Sequence, residues 1–166
     1  YYEANYKQFR ERILELDSKI EAAFSTVPEK NRKLLTYHDS FPYFGKQYNI
    51  EIIGAIQPSD YSNPSAREIA YLIDLLQELK LPAIFGSYLF PTEVVQRVAN
   101  EGNSKLVMGL SDDDLPGNAG DPGHTYFGLM ANNVILMVEG LGGDAKSLST
   151  FYTTMVFSGN PTTFYP

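Results

Sequence analysis

Apolar side chains recur at alternating three- and four-residue intervals through residues 3–25. This spacing is typical of one face of an α-helix, and charged residues occupy most of the other positions. At a rise of about 1.5 Å per residue the helix would be about 35 Å long. We therefore expect a long amphipathic helix that runs across one face of a domain. Its apolar positions are Tyr6, Phe9, Ile13, Leu16, Ile20 and Ala23.

From residue 33 onward, short apolar runs alternate with amphipathic segments. A capping box between Ser65 and Glu68 opens one of these segments. Continuous apolar strands that alternate with helices are typical of a parallel sheet covered on both faces. The predicted fold class is therefore α/β, a parallel four-stranded sheet flanked by helices and preceded by the long helix. The strands are predicted at 33–38, 49–56, 82–88 and 105–110, and the helices at 40–48, 65–80, 91–102 and 125–141.

The ends of the predicted strands carry polar side chains that could form a site. His38 ends the first strand, Ser87 and Tyr88 end the third, and the loop at 111–123 after the fourth leads to His124. In a parallel sheet, ligands bind outside the carboxyl ends of the strands, which all lie on one edge. The two histidines of the chain are therefore predicted to lie on the same edge, although they are far apart in sequence.

Composition removes several classes of function. With 166 residues the chain is long enough for one domain with a substantial core. A formal net charge of -7 argues against a nucleic-acid partner. The absence of cysteine excludes disulfides, thiolate metal ligands and cysteine nucleophiles. Because the chain does not begin with Met, we expect a processed or truncated piece of a longer protein.

Each histidine has a functional and a structural interpretation at this stage. His38 could be a metal ligand oriented by Asp39, or a histidine at the sheet edge that caps the next helix. His124 precedes a helix, where a neutral, metal-bound imidazole is favoured over a protonated one, but it could equally be an exposed loop residue. Asp39 or Ser40 is expected to cap the 40–48 helix, and Thr125 the last helix.

Other chemistry is weakly supported by the sequence. Asp112, Asp113, Asp114 and Asp121 lack the spacing of a calcium loop and are interpreted as a solvated acidic loop. A triad of Ser87, His38 and Asp39 has no nucleophile elbow to support it. The glycines of this loop follow neither dinucleotide-binding nor P-loop spacing. A hydrolytic enzyme is therefore only a third hypothesis.

Three segments resemble one known family. A histidine followed by Asp-x-Phe-x-Tyr-Phe occurs in LLTYHDSFPYFGKQYNIEIIGAI. A Pro-Ser-x-x-x-Leu-like helix and an Ile-Phe strand occur in NPSAREIAYLIDLLQELKLPAIFGS. A loop that leads into a Tyr-x-x-x-Met helix occurs in DDDLPGNAGDPGHTYFGLMANNVILMVEGLGG. Together they are similar to the zinc- and manganese-binding substrate-binding proteins of bacterial ABC transporters (cluster A-I). The resemblance covers roughly residues 2–143.

This resemblance implies a lobe of a larger protein. The family has two α/β lobes joined by a long linking helix, with a metal ion between them. Residues 1–28 would be the linking helix, 29–143 the C-terminal lobe, and 144–166 a tail that packs on it. The N-terminal lobe, which usually supplies two further ligands, is missing from this chain.

The resemblance also assigns site residues. His38 falls on the family's third ligand, and His124 on a position where many members have Asp and some have His. Ser87 or Tyr88 stands where many members have a Glu, so the carboxylate expected there is absent. Asp39, Ser87, Tyr88 and Tyr126 are expected beside the site. Two imidazoles favour Zn²⁺, with Mn²⁺ as the alternative.

The implied function is binding rather than catalysis. The cargo metal would pass to the permease of an ABC importer, at the periplasm or the outer face of a bacterial cell membrane. The alternative is an adhesion or interaction module of the same family with a degraded metal site. Without the other lobe, apolar surface on the linking helix would be uncovered, so we expect the chain to form a homodimer.

Overall fold

The computed structural model describes residues 1–57, 64–88 and 92–152. Helices and strands alternate as the sequence predicts, with boundaries that differ by a few residues. The helices are α1 (Tyr2–Ser25), α2 (Pro42–Tyr48), α3 (Ala66–Leu79), α4 (Thr92–Glu101), α5 (Tyr126–Gly140) and α6 (Lys146–Phe151), and a short 3₁₀ turn spans Glu29–Asn31. The strands are β1 (Lys33–His38), β2 (Glu51–Gln57), β3 (Ala83–Gly86) and β4 (Lys105–Met108).

The strands are parallel, but they form two pairs rather than one continuous sheet. β1 pairs with β2 and β3 pairs with β4. β1 also packs beside β3, but the described residues show no hydrogen-bonded ladder between them. The predicted four-stranded sheet is therefore corrected to two two-stranded sheets lying side by side. The register between β1 and β2 shifts between Leu34 and Leu35, where β2 contains Ile53 as an extra residue.

The core lies between the strands and α5. Leu34 and Leu35 of β1 and Ile84 and Phe85 of β3 are completely buried. α5 is apolar on most of its surface because it packs against β3, β4, α1 and α6. Gly140 allows the Phe85 ring to approach α5, since a Cβ there would lie 2.9 Å from a ring carbon.

The long helix is buried along its second half only. Leu16, Ile20, Ala23 and Phe24 belong to the core. Tyr6 remains 65% exposed and Phe9 50% exposed, although both continue the same apolar face. The packing helices α5, α6 and α2 therefore cover only part of the predicted apolar stripe. No helix in the described part of the chain is both long enough and apolar enough to cross a membrane.

Two of the predicted helix caps are present in the structure, and one is wrong. Ser65 and Glu68 form the predicted capping box, and the Thr125 hydroxyl accepts a hydrogen bond from the Gly128 amide at 3.0 Å. The predicted cap of α2 by Asp39 or Ser40 is wrong, because Phe41 occupies the N-cap position without a side-chain bond. Pro42 at the start of α2 lacks an N–H group, which leaves one fewer donor to satisfy.

The final segment packs on the lobe as far as it is described. Leu148 and Phe151 of α6 are buried, and α6 contacts both α1 and α5. The rest of the predicted tail, 153–166, lies outside the described residues. Pro91, the first residue of the helix predicted at 91–102, lies outside them as well.

Candidate metal-binding site

His38 is held at the carboxyl end of β1 by the neighbouring strand. The parallel register places it opposite Gln57, and His38 Nδ1 lies 3.4 Å from the Gln57 carbonyl oxygen. A carbonyl oxygen only accepts, so Nδ1 donates in this bond and the lone pair of the neutral ring lies on Nε2. The ring also packs edge-on against Tyr37, with 4.8 Å between the centroids. This backbone contact orients the half-buried ring in the way that metal-ligating histidines are oriented.

A small cleft opens at the carboxyl ends of β1, β3 and β4, as the strand-end argument predicts. Its volume of about 10 Å³ is comparable to the space that one water molecule needs. The apolar part of its lining includes Phe41, Phe85 and Leu110. Burial raises the pKa of the Tyr37 hydroxyl, which also belongs to the lining. The polar side chains around the cleft are Thr36, His38, Ser87, Ser111 and Asp112.

The residues after β4 are fixed in the cleft by a buried amide on α5. Asn133, only 4% exposed, accepts a bond from the Ser111 amide at 3.1 Å and donates to the Ser111 carbonyl at 2.5 Å. These two bonds fix the backbone immediately before Asp112. The Ser40 hydroxyl, two residues after His38, donates to the Asp112 carboxylate. The loop after β4 is therefore joined to the segment after β1.

His124 lies at the far end of the same loop, close to the start of α5. Its Nδ1 is 3.3 Å from the Pro116 carbonyl oxygen, so this imidazole is oriented in the same way as that of His38. The Asp121 carboxylate accepts a bond from the Asn118 amide at 2.8 Å, and the His124 amide donates to the Asp121 carbonyl at 2.9 Å. The position of His124 therefore depends mainly on turns within the loop.

Close packing against α5 also holds the end of this loop. A Cβ on Gly128 would lie 2.0 Å from the Gly123 carbonyl oxygen, which is closer than any side chain allows. Gly117 has a φ of +75°, and a Cβ there would lie 2.7 Å from the Asp121 carboxylate. Glycine at both positions is therefore required by the path of the loop.

The remaining predicted site residues are not among the described residues that line the cleft. Asp39 is exposed and faces a separate surface groove with Glu68 and Tyr71. Tyr88 is 77% exposed and lies against Gly109. Tyr126 is 46% exposed and packs edge-on against Phe127.

The structure thus brings together some of the predicted residues and not others. His38 and Ser87 share the cleft, while His124 is not among its described lining residues. Within residues 1–57, 64–88 and 92–152, no group of three His, Asp or Glu side chains is arranged to hold a metal ion. The described chain therefore presents one imidazole in the cleft, and not a full set of ligands.

Asp112 and Asn133 are the site residues that sequence reasoning missed. Asp112 was assigned to a solvated acidic loop, although it follows the end of β4 on the same edge as His38. The strand-end rule that located His38 and Ser87 could have located it too. Asn133 is a polar residue on the buried face of an apolar helix, and such a residue usually has a specific hydrogen-bond partner.

Known proteins share this architecture over most of the chain. The family described as zinc-uptake complex component A, periplasmic, matches residues 1–140. The manganese-binding lipoprotein MntA of Bacillus subtilis is 28% identical over 144 residues, which is 84% of this chain and 47% of that protein. The zinc-binding protein TroA of Treponema pallidum is 29% identical over 140 residues, which is 82% of this chain and 46% of that protein.

Solved structures give the same result for the fold. The periplasmic zinc-binding protein TroA from Treponema pallidum superposes with a TM-score of 0.77 at 27% identity, covering 84% of this chain and 52% of that one. The laminin-binding protein Lbp of Streptococcus pyogenes has a TM-score of 0.72 at 22% identity, covering 84% and 53%, and supports the fold alone.

The expected resemblance is confirmed, and the chain spans about half the length of the relatives that it matches. A further relative, FimA of Streptococcus parasanguinis, is a metal ABC transporter substrate-binding lipoprotein, and the family is one of binding proteins rather than enzymes. The chain belongs to the periplasmic zinc-uptake component A family of metal-binding proteins, and it corresponds to one lobe of their fold.

Proposed function

We propose that this chain is the C-terminal lobe, with its linking helix, of a substrate-binding protein that captures a divalent transition metal for an ABC importer. The observation that supports this most directly is the orientation of His38. Its Nδ1 faces the Gln57 carbonyl, so the lone pair lies on Nε2 in a ring that lines the strand-end cleft. Family membership adds the expectation of a transporter permease as partner and of a place at the periplasm or outer cell surface.

His124 is proposed as a second ligand from the loop side of the cleft. Its ring is oriented by the Pro116 carbonyl as that of His38 is by Gln57. Two imidazoles favour Zn²⁺ over Mn²⁺, which prefers oxygen ligands. A zinc site usually has three or four protein ligands, so this lobe alone should bind weakly, and tight capture needs ligands from the rest of the longer protein.

Calorimetric titration with Zn²⁺ and with Mn²⁺ tests this proposal. The variants are His38→Ala and His124→Ala, and Tyr71→Ala is the matched control because it removes an exposed ring from α3. We expect each histidine variant to raise the Kd for Zn²⁺ by at least about tenfold, since even loss of an orienting neighbour has effects of that size. The control should bind as the wild type does. Equal binding by the wild type and both histidine variants would contradict the proposal.

A second candidate function is an interaction module in which metal binding has been lost. The observation that favours it is the exposed aromatic face of α1, formed by Tyr2, Tyr6 and Phe9. Large exposed apolar patches are typical of interaction surfaces. We also propose that two copies of this chain associate through this face when nothing else covers it. Light scattering that shows a monomer at high protein concentration would exclude that association.

A further inference from the structure

We infer that the groove beside β2 is a docking surface for an extended segment of another polypeptide that carries basic side chains. This groove, the β2 groove, is the one in which Asp39 lies with Glu68 and Tyr71. It shares no described lining residue with the strand-end cleft, so docking here is independent of metal binding. Its volume of about 500 Å³ falls within the range of ligand-binding clefts, about 300–1,000 Å³.

The β2 groove follows the outer edge of β2, which is the side that faces away from β1. Residues 52–56 all line it, and successive residues of a strand point to opposite faces of a sheet. The register pairs Ile52 and Gly54 with consecutive residues of β1, so these two positions face opposite sides. Ile52 lies against Gly45 of α2, and Gly54 lies against Leu72 of α3. The groove therefore runs along the strand between these two helices, over a length of about 13 Å.

The outer edge of β2 can accept a further strand. In the described part of the chain, β2 is hydrogen-bonded to β1 and to no other strand. The regular register with β1 runs from Gly54 to Gln57, beyond the extra residue Ile53. An edge of this kind presents main-chain N–H and C=O groups, and an added strand bonds to them while its alternate side chains enter the groove. Gly54 and Ala55 are small, so they leave room for those side chains.

The lining of the β2 groove selects apolar and basic side chains. Most of it is apolar, and Ile52 and Ile53 remain partly exposed, so an added strand would bury them. The charged side chains in the described lining are Asp39 and Glu68, and both are acidic. The Glu68 carboxylate accepts a hydrogen bond from the Ser65 amide at 2.7 Å, which fixes its position at the start of α3. Lysine or arginine side chains on the partner are therefore favoured.

A second copy of this chain fits the β2 groove less well. If two β2 strands paired along their outer edges, each copy would bring its Asp39 and Glu68 to the shared edge, and like charges that face each other are destabilising. The formal net charge of -7 adds to this repulsion. The occupant is therefore a different chain, whose basic side chains supply the opposite charge.

The other outer strand, β4, differs from β2 in length and charge. It has four residues, whereas β2 has seven. Lys105 at its start is exposed, and a lysine on an edge strand is a common protection against pairing with another chain. The same lysine repels a basic segment. We therefore expect docking at β2 and not at β4.

The experiment uses a fluorescein-labelled probe peptide of alternating lysine and valine, Lys-Val-Lys-Val-Lys-Val-Lys. Its binding to the full chain is measured by fluorescence anisotropy, with EDTA present so that no metal contributes. One control peptide has glutamate in place of each lysine. The other has proline in place of the central valine, because proline cannot donate to a ladder. We expect both control peptides to bind at least about tenfold more weakly than the probe.

Two variants of the chain with the same change of charge locate the docking surface. Asp39→Lys should raise the Kd of the probe by about tenfold. Glu78→Lys changes an exposed residue of α3 outside the described lining and should have little effect. Bound probe should slow amide hydrogen exchange at 54–57 and leave it unchanged at 105–108. Circular dichroism confirms that both variants are folded.

Three results would overturn this assignment of the β2 groove. The first is that the probe does not bind. The second is that the proline peptide binds as tightly as the probe, which would mean that no strand is added. The third is an equal loss of binding for Asp39→Lys and Glu78→Lys, which would mean that only the overall charge of the chain attracts the peptide.

Discussion

The two histidines lie in regions that are built in different ways. The strand-end region, formed by His38, the end of β3 and α2, is positioned by the pairing of β1 with β2 and by completely buried side chains beneath it. The histidine loop, residues 113–125, is positioned by short hydrogen bonds within itself and by the contact of Gly123 with Gly128. Both regions nevertheless orient an imidazole through a backbone carbonyl.

Aromatic side chains also connect each region to α1. Tyr48 of α2 donates a hydrogen bond to Asp17 at 2.7 Å. Phe127, at the start of α5, packs edge-on against Phe9 and lies 4.7 Å from the Arg12 guanidinium. The difference shows that the same orientation of an imidazole can arise from the core or from a local turn. Mutations in the strand-end region should therefore affect global stability, and those in the loop should have local effects.

The largest effect is expected from Phe85→Ala. Phe85 is fully buried, contributes to the cleft and packs against Gly140 of α5. Its truncation should lower the free energy of unfolding by about 3–5 kcal/mol, measured by urea denaturation. The loop counterpart Leu115→Ala, at a residue that is 39% exposed, should have an effect of about 1 kcal/mol or less. Similar losses for the two variants would contradict the proposed difference between the regions.

Gly128→Ala changes the point where the loop meets the core. The added methyl group would lie 2.0 Å from the Gly123 carbonyl oxygen, so the loop or the helix must shift. We expect a loss of about 1–3 kcal/mol by calorimetry, together with faster amide exchange near residue 124. Gly54→Ala is the control, because its nearest neighbour is a Leu72 methyl group at 3.3 Å that can move. An unchanged melting temperature for Gly128→Ala would count against this close contact.

Tyr48→Phe tests the attachment of the strand-end region to α1. Loss of the bond to Asp17 should cost about 1–2 kcal/mol near neutral pH, because hydrogen bonds to charged groups are worth somewhat more than neutral ones. Burial, followed by the hydrogen bond and charge of Asp17, raises the pKa of Tyr48 above its ordinary value of 10.0. The stabilisation is therefore complete below pH 10 and is lost as the pH rises above it.

Urea denaturation between pH 7 and pH 11 measures this dependence. The wild type should lose its advantage over Tyr48→Phe at alkaline pH, so the two stability curves should converge. Tyr71→Phe, at an exposed tyrosine of α3, is the matched control and should keep a constant offset from the wild type. Parallel curves for the wild type and Tyr48→Phe would show that Tyr48 does not have the assigned role.

The smallest global effect is expected from Asp121→Ala. This variant removes the bond to the Asn118 amide in an exposed loop and should reduce stability by about 1 kcal/mol or less. The ring signals of His124 in NMR spectra should shift, while those of His38 should stay unchanged. Asp113→Ala, which removes an exposed acidic side chain of the same loop, should leave both histidines unchanged. Equal shifts at both histidines would mean that the two regions are coupled.

Local patterns were sufficient to predict most of the elements and one edge of the site. The periodicities located the four strands in the described part of the chain and the helices from α1 to α5, because burial on one face imposes a regular spacing of apolar residues. The parallel arrangement also followed from the sequence, and it implied that His38 and Ser87 lie on one edge. The family resemblance indicated the lobe before any contact was known.

Other features depended on contacts between distant segments. Asp39 or Ser40 was predicted to cap α2, yet the Ser40 hydroxyl bonds to Asp112, a residue 72 positions away. Asp112 shares its residue type with three loop neighbours, so only its position in the cleft distinguishes it. The exposed first half of α1 likewise has the same apolar spacing as the buried half, and only the extent of α5 and α6 decides which part is covered.

The sequence by itself determined the order and type of the elements and the edge where ligands would bind, because these depend on local periodicity and on the direction of the strands. The tertiary structure decided which carboxylate lies in the cleft with His38, how each imidazole is oriented, and where the sheet divides into two pairs. Those outcomes depend on distances of a few ångströms between residues far apart in the chain, and residue spacing does not encode such distances.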